Sequence, residues 1–352
     1  MKILLATIWI SFLIMLAGLW LFKKLKILDT PRKYKDLDRK TPVPRLMWIF
    51  LILAVIISIV LLIPGYWHFK EVQALFAGAI FLWIIAVIDD AKWLSPQLRL
   101  LIQILVATIG ILWGAIITHL NLLGHIVTLP YWLGFVLSLI WFILIINSFN
   151  WFDWINGMGA GLATIWFLTI DLLIKFVIFK YYQISPEEYK HLVLLLNLSL
   201  VMTWVSFVFT LMEIKPFGLI RDVGIMFLWY VLAYLSLFTW AKIWILLVVL
   251  SLVIFDAFWV IINRIKNWKN PMKWDYTHFH HRLMRHWRKR EEIRAFVWIW
   301  AIFFMVLMLL QWTNSLNKLV ILFMIFIIFF WTHIYMYWIK KLPVGLGERD
   351  ND

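Results

Sequence analysis

Cysteine is absent from the chain, and charge is scarce: only 15% of the 352 residues are Asp, Glu, Lys or Arg. The first absence excludes disulfides and thiolate chemistry. The second excludes a soluble globular domain, in which about 25% of residues are charged and about 45–50% are apolar. Here 64% are hydrophobic and 18% aromatic, with a mean hydropathy of +0.90. A disordered chain and a small disulfide scaffold are excluded by the same numbers. An outer-membrane barrel alternates apolar and polar residues, whereas the apolar runs here are continuous. No Walker-type phosphate loop occurs, which argues against ATP hydrolysis. No Gly/Ser linker, low-complexity tract or internal repeat divides the sequence. It therefore reads as one membrane domain over 1–352, and the repeat symmetry common in transporters is not evident. What remains is an all-α, polytopic integral membrane protein.

A bilayer-spanning helix needs about 20 apolar residues. Eleven runs qualify, at roughly 3–22, 46–64, 74–88, 100–117, 132–146, 161–179, 191–211, 226–240, 243–262, 295–312 and 319–339. The first lacks a small-residue cleavage pattern and reads as a retained anchor. Lys and Arg crowd onto one side of this layout. Residues 23–45 hold nine and residues 263–294 hold ten of the 33 in the chain. The positive-inside rule makes that side cytoplasmic. The N-terminus is then outside and the C-terminus inside, which an odd number of spans requires. The predicted cytoplasmic loops are 23–45, 89–99, 147–160, 212–225 and 263–294. The formal net charge of +14 thus has an address.

Ionisable residues close to the hydrocarbon are costly and tend to be functional. Four clusters stand at the predicted cytoplasmic face. Asp89-Asp90 ends an apolar run. Two adjacent carboxylates stay ionised only beside a cation or basic group, and Asp has the wrong sign for a helix C-terminus. Asn147, Asn150, Asp153 and Asn156 recur every third residue, ahead of Gly157, Gly159 and Gly161, as a drifting polar stripe. Asp222 follows Arg221 at the start of another apolar run and, taken alone, is as readily an N-cap or dipole partner. Asp275 through Arg282 places His278, His280 and His281 inside the ten-charge loop. With no cysteine, a structural zinc site is not indicated. Flanking Lys273, Arg282 and Arg285 favour a phosphate-bearing partner, and the bland alternative is a loop lying on anionic headgroups. Asp171 and Lys175, four apart, read as a local ion pair. Asp256 is given no chemistry.

Carboxylates amid cationic loops suit Mg²⁺, which takes one or two protein carboxylates plus substrate phosphates. The residues therefore point to Mg²⁺-dependent phosphoryl-group transfer at the cytoplasmic membrane surface, with a lipid as one substrate. From about Asp29 to Leu283 they also resemble a family. Asp29-Thr-Pro31-Arg32-Lys33 and Thr41-Pro42-Val-Pro44-Arg45 are similar to its first cytoplasmic loop. Ile88-Asp89-Asp90 with Leu94 matches its aspartate pair, and Asn147 to Gly161 its Asn/Asp-rich motif. Asp222-Val-Gly224 sits at its Gly-Asp-x-Gly-Ser signature, and Asp256, Arg264 and Asp275 to Leu283 match its Asp-x-x-His-x-His-His-Arg-Leu loop. The family is that of the polyprenyl-phosphate N-acetylhexosamine-1-phosphate transferases, within glycosyltransferase family 4 and the superfamily of phospho-N-acetylmuramoyl-pentapeptide transferase.

The resemblance implies an enzyme of the cytoplasmic (inner) membrane. It would transfer a sugar-1-phosphate, N-acetylhexosamine-1-phosphate, from a UDP-sugar such as UDP-N-acetylglucosamine to polyprenyl phosphate. UMP leaves, and the reaction is the first membrane step of a cell-envelope polysaccharide. Asp89, Asp90 and Asp222 would be catalytic, with Mg²⁺ or Mn²⁺ on Asp222 and Asp90. Lys40, Arg45, Asn150, Asp153, Asn156, His278, His280, His281 and Arg282 would bind substrate. Membrane lipids and a second copy of the chain complete the expected partners, and no nucleic acid is among them. The chain departs from the family at several positions. Met47-Trp48 replaces Gly-Gly, Trp154 replaces Gly, Asn156 replaces Asp, Arg221 replaces the signature Gly, and Ile225 replaces the signature Ser. The alternatives are a catalytically weak or inactive relative that binds lipid phosphate or scaffolds envelope assembly, and a transporter of an anionic substrate.

Overall fold

A computed structural model describes residues 2–30, 41–66, 68–92, 95–122, 125–238, 245, 247–268, 278–286, 289–310 and 315–338. The side chains of Asp89, Asp90 and His280 lie outside that description, as do Lys40 and the loop at 269–277. The chain forms two compact units, Met1–Ile243 and Trp244–Asp352.

The first unit is a helical bundle. Its helices are α1 (Lys2–Lys24), α2 (Trp48–Leu62), α3 (Lys70–Lys92), α4 (Pro96–Leu112), α5 (Tyr131–Phe152), α6 (Met158–Leu173), α7 (Pro186–Ile214) and α8 (Arg221–Leu237). α6 continues through a π-helical turn at Ile174–Ile178. Short two-stranded antiparallel ladders join Leu28–Asp29 to Val43–Pro44 and His119–Leu122 to His125–Thr128. Helix starts follow local chemistry. Ser95 accepts from Leu98 N–H with Pro96 just inside α4, and Ser185 and Glu188 form a reciprocal capping box with Pro186 just inside α7. Helices of this length and apolarity satisfy their own backbone groups, as hydrocarbon requires.

α8 is the hub. Every residue from Val223 to Leu237 is buried, and the helix packs against α2, α3, α5 and α6. A helix that is apolar all round belongs in an interior. Gly78 on α3 admits Tyr230, whose hydroxyl donates to the Ala74 carbonyl at 3.3 Å. The rings of Phe149 and Trp229 stack at 3.4 Å and lock α5 to α8. Asp171, expected to pair with Lys175, reaches the neighbouring helix. Its carboxylate accepts from the hydroxyls of Ser199 and Thr203 on α7.

The second unit holds α9 (Ser251–Lys266), α10 (Phe279–His286), α11 (Arg290–Leu310) and α12 (Ser315–Trp338). α9 packs against α12, and α10 against α11. Among the described residues, Lys2–Lys24, Tyr131–Asn150, Met158–Tyr181, Pro186–Ile214 and Arg290–Leu310 are long and apolar enough to cross a membrane. Shorter apolar helices run over Met47–Leu62, Gln97–Leu112 and Leu319–Thr332. The molecule is thus an all-α, multi-pass membrane protein. Several helices outrun the predicted loops. α3 continues through Asp89-Asp90 to Lys92, α5 through Asn150 to Phe152, and α7 to Ile214.

Candidate active site

Three helix ends in the first unit carry the polar residues singled out above. The polar stripe does not continue as a helix. α5 stops at Phe152, and Asp153 leaves helical geometry at φ −86°, ψ 62°. Its Oδ1 then accepts the Gly159 N–H at 2.7 Å and caps the start of α6. The turn between them needs Gly157, at φ +76°. A Cβ at Gly159 would stand 2.6 Å from Asp153 Oδ1, so that glycine keeps the carboxylate seated. Burial raises the Asp153 carboxyl to about 7; the Gly159 bond opposes the rise, and the charge of Asp222 adds to it.

Asp222 stands in the first turn of α8, where the helix dipole favours an anion. Its side chain is 64% exposed, and Arg99 Nη1 lies 3.9 Å from Oδ2. An exposed pair at that distance adds little stability, of order 0–1 kcal/mol, so its use is to place a cation beside the carboxylate. Arg221, in place of the signature glycine, adopts φ +53°. This is the left-handed region that glycine enters freely and that other residues occupy at about 1–2 kcal/mol.

The segment leading to Asp222 is tied to the first-loop motif. Leu219 N–H donates to the Pro44 carbonyl at 2.9 Å, and Met47 N–H donates to the Leu219 carbonyl at 3.1 Å. The Thr41-to-Arg45 stretch is therefore a strap beside the Asp222 turn. Arg45, half-buried on it, has an Nε that finds no hydrogen-bond partner among the described residues. Trp48 and Ile225, which replace small residues of the family, are not in the opening. Both are buried, Trp48 with its Cβ against Gly224 and Ile225 with its Cδ1 over Gly159. Asn150, Trp154 and Asn156 are half-buried. Asn147 is used between helices, exchanging amide hydrogen bonds with Gln103 at 2.6 and 3.3 Å.

The second unit has its own buried cluster. Asp256 accepts the Phe279 N–H at 2.7 Å through Oδ1, and its Oδ2 lies 2.9 Å from His278 Nδ1. Both side chains are buried, as is His281, while Arg282 is half-buried. Asp256 thus anchors the histidine-bearing start of α10, a role the sequence did not disclose. Arg99, near the start of α4, was missed as well. Glu213, an acidic residue ending an apolar run, gave the same wrong-sign signal as Asp89-Asp90 and was passed over.

Among the described residues, no three His, Asp or Glu side chains gather as a metal cage. Mg²⁺ needs none: one or two carboxylates with waters and substrate phosphates suffice. The exposed carboxylate of Asp222 fits that donor set.

The family model for glycosyl transferase family 4 matches residues 72–240. That segment begins on α3 and ends just after α8, and so contains Asp89, Asp90, Asn150, Asp153, Asn156 and Asp222. Over those residues the chain is similar to glycosyl transferase family 4. This is the family of phospho-N-acetylmuramoyl-pentapeptide transferase and related polyprenyl-phosphate transferases, and the match supports a transferase. No curated protein matches the chain. The strap with Arg45 and the Asp256–His278 cluster lie outside the matched segment.

Proposed function

We propose that the protein transfers N-acetylhexosamine-1-phosphate from a UDP-sugar to polyprenyl phosphate, releasing UMP, on the cytoplasmic face of the inner membrane. The observation that carries this reading is Asp222. It is an exposed carboxylate on the positive end of the buried hub helix, with Arg99 beside it, inside the family segment. A phosphate oxygen of the lipid attacks the β-phosphorus of the UDP-sugar. The new P–O bond joins lipid phosphate to sugar phosphate. The bond from the β-phosphorus to the bridging oxygen breaks, and that oxygen leaves on UMP. A phosphate monoester is already ionised near neutral pH, so positioning contributes more than proton removal.

Asp222, with Asp90, would hold Mg²⁺, which neutralises the diphosphate as charge develops on the leaving group. Arg45, Lys40 and Arg99 would hold phosphates. Asp89 orients the lipid phosphate. Asn150, Asp153 and Asn156 contact the nucleotide sugar; an Asn amide both accepts and donates, as a uracil edge requires. The second unit's His278, His280, His281 and Arg282 bind phosphate as imidazolium and guanidinium groups.

Purified protein with Mg²⁺, polyprenyl phosphate and UDP-N-acetylglucosamine should release UMP, and Asp222→Ala should abolish the release. A panel of UDP-sugars that yields no UMP from any member overturns the reading. One observation favours a second reading, a relative that binds lipid phosphate without turnover. Arg221 precedes Asp222 in the chain and strains the backbone there. Under that reading the lipid binds and the panel stays silent.

A further inference from the structure

Glu213 is a buried acid in the first unit that the proposed reaction leaves unused, at 4% exposure in the last turn of α7. A carboxylate is doubly unfavourable there. Burial costs it hydration, and the carbonyl end of a helix repels it. Its backbone partners explain its presence. Oε1 accepts the Ile220 N–H at 2.8 Å, and the Gly157 N–H lies near enough to favour the charge of the carboxylate. Ile220 is two residues before Asp222, and Gly157 is four residues after Asp153. The two amides belong to different connections, one joining α5 to α6 and the other joining α7 to α8. Gly157 leaves no room for drift, since a Cβ there would meet Ile214 Cγ1 at 3.2 Å.

We propose that Glu213 is a positioning residue that clamps the two turns presenting Asp153 and Asp222, and so fixes the spacing of those carboxylates. This rests on the transferase reading for its consequence, though not for its geometry. Each turn has another tie: Asp153 to Gly159, and Leu219 to Pro44. Neither of these joins one turn to the other, whereas Glu213 touches both. Such a clamp matters to catalysis because a misplacement of about 1 Å can lower a rate about 100-fold.

The test uses the full-length protein in detergent, with Glu213→Gln as the main variant and Glu213→Leu as the stronger one. Glutamine preserves size and one acceptor oxygen but replaces the other with an NH₂ that cannot accept. Hydrogen–deuterium exchange should rise at least tenfold in segments 153–159 and 215–222 of the Gln variant, with protection of 223–237 unchanged. Wild-type exchange in both segments overturns the clamp. In UMP release, kcat should fall by about 10- to 100-fold while KM for the UDP-sugar stays within threefold. Normal kcat with loosened turns overturns the positioning role. If wild-type protein releases no UMP, the transferase reading fails by itself, and the exchange experiment still decides the clamp.

Discussion

Replacing Asp153 with asparagine should remove one part of a pH dependence that the fold imposes on itself. An aspartate that titrates at 3.8 when solvated is raised to about 7 here by burial and by the charge of Asp222, against the pull of the Gly159 N–H. A shift of this size corresponds to about 4 kcal/mol between the two protonation states, at 1.36 kcal/mol per pKa unit. The sign follows from linkage. Between the unfolded and folded pKa values the native protein holds a proton that the unfolded chain has lost. Its stability therefore falls as pH rises through that window and is flat above it. From pH 5 to pH 7 the expected loss is about 2 kcal/mol in wild-type protein and near zero from this site in Asp153→Asn. The assay is urea unfolding in mild detergent with EDTA, followed by tryptophan fluorescence, as a difference between wild type and variant at each pH. Adding Mg²⁺ with UDP-sugar at pH 8 should recover part of the loss, because a cation near the carboxylate stabilises its charged form. A wild-type-minus-variant difference that stays constant from pH 5 to pH 8 refutes the assignment of this carboxyl as a buried, proton-holding group.

Two further substitutions test the local geometry. Gly157→Ala imposes a side chain at φ +76° with 3.2 Å to Ile214 Cγ1, and should destabilise by about 1–2 kcal/mol from strain alone. Gly65→Ala, at φ +95° with nothing within 4 Å, is its uncrowded control, so a lower melting temperature for the former reads the crowding. Asp256→Asn keeps an acceptor for Phe279 N–H but turns an NH₂ toward His278. It should cost about 1.5–3 kcal/mol as a lost charge-assisted bond, and should weaken inorganic phosphate binding to the protein, measured by calorimetry against wild type.

The sequence made the architecture legible at the level of class because hydrophobicity is a bulk property. Runs such as 3–22 and 132–146 can only be buried or lipid-facing, and they are helices in the structure. The Asp222 turn was legible too, since a lone acid before an apolar run is what the start of a buried helix looks like. The period of the Asn/Asp stripe misled at its end. A three-residue spacing is indifferent to whether the helix stops, and it stops because Asp153 caps the next helix. Long-range partners left no local signal. Gln103 with Asn147, Glu213 with Ile220, and Asp256 with Phe279 are separated by 44, 7 and 23 positions, and only the folded chain brings them together. The strand pairing of Leu28–Asp29 with Val43–Pro44 was hidden for the same reason.

The departures from the family divide by where their side chains go. Trp48 and Ile225 replace small residues with bulk, yet both are fully packed. Trp48 stands against Gly224, and Ile225 against Gly159, so the added volume is packed among the segments that carry the two carboxylates. Bulk placed there stiffens the helix starts that carry Asp153 and Asp222, because a close-packed interior transmits displacement instead of absorbing it. Arg221 is different in kind. Its backbone keeps the φ a glycine would take while its side chain adds a charge next to Asp222 in the chain. The packing substitutions therefore leave the Asp222 turn in place, and the arginine adds a formal positive charge at the preceding position. Any change in donor or rate relative to other family members should trace to Arg221 before it traces to either aromatic or aliphatic replacement.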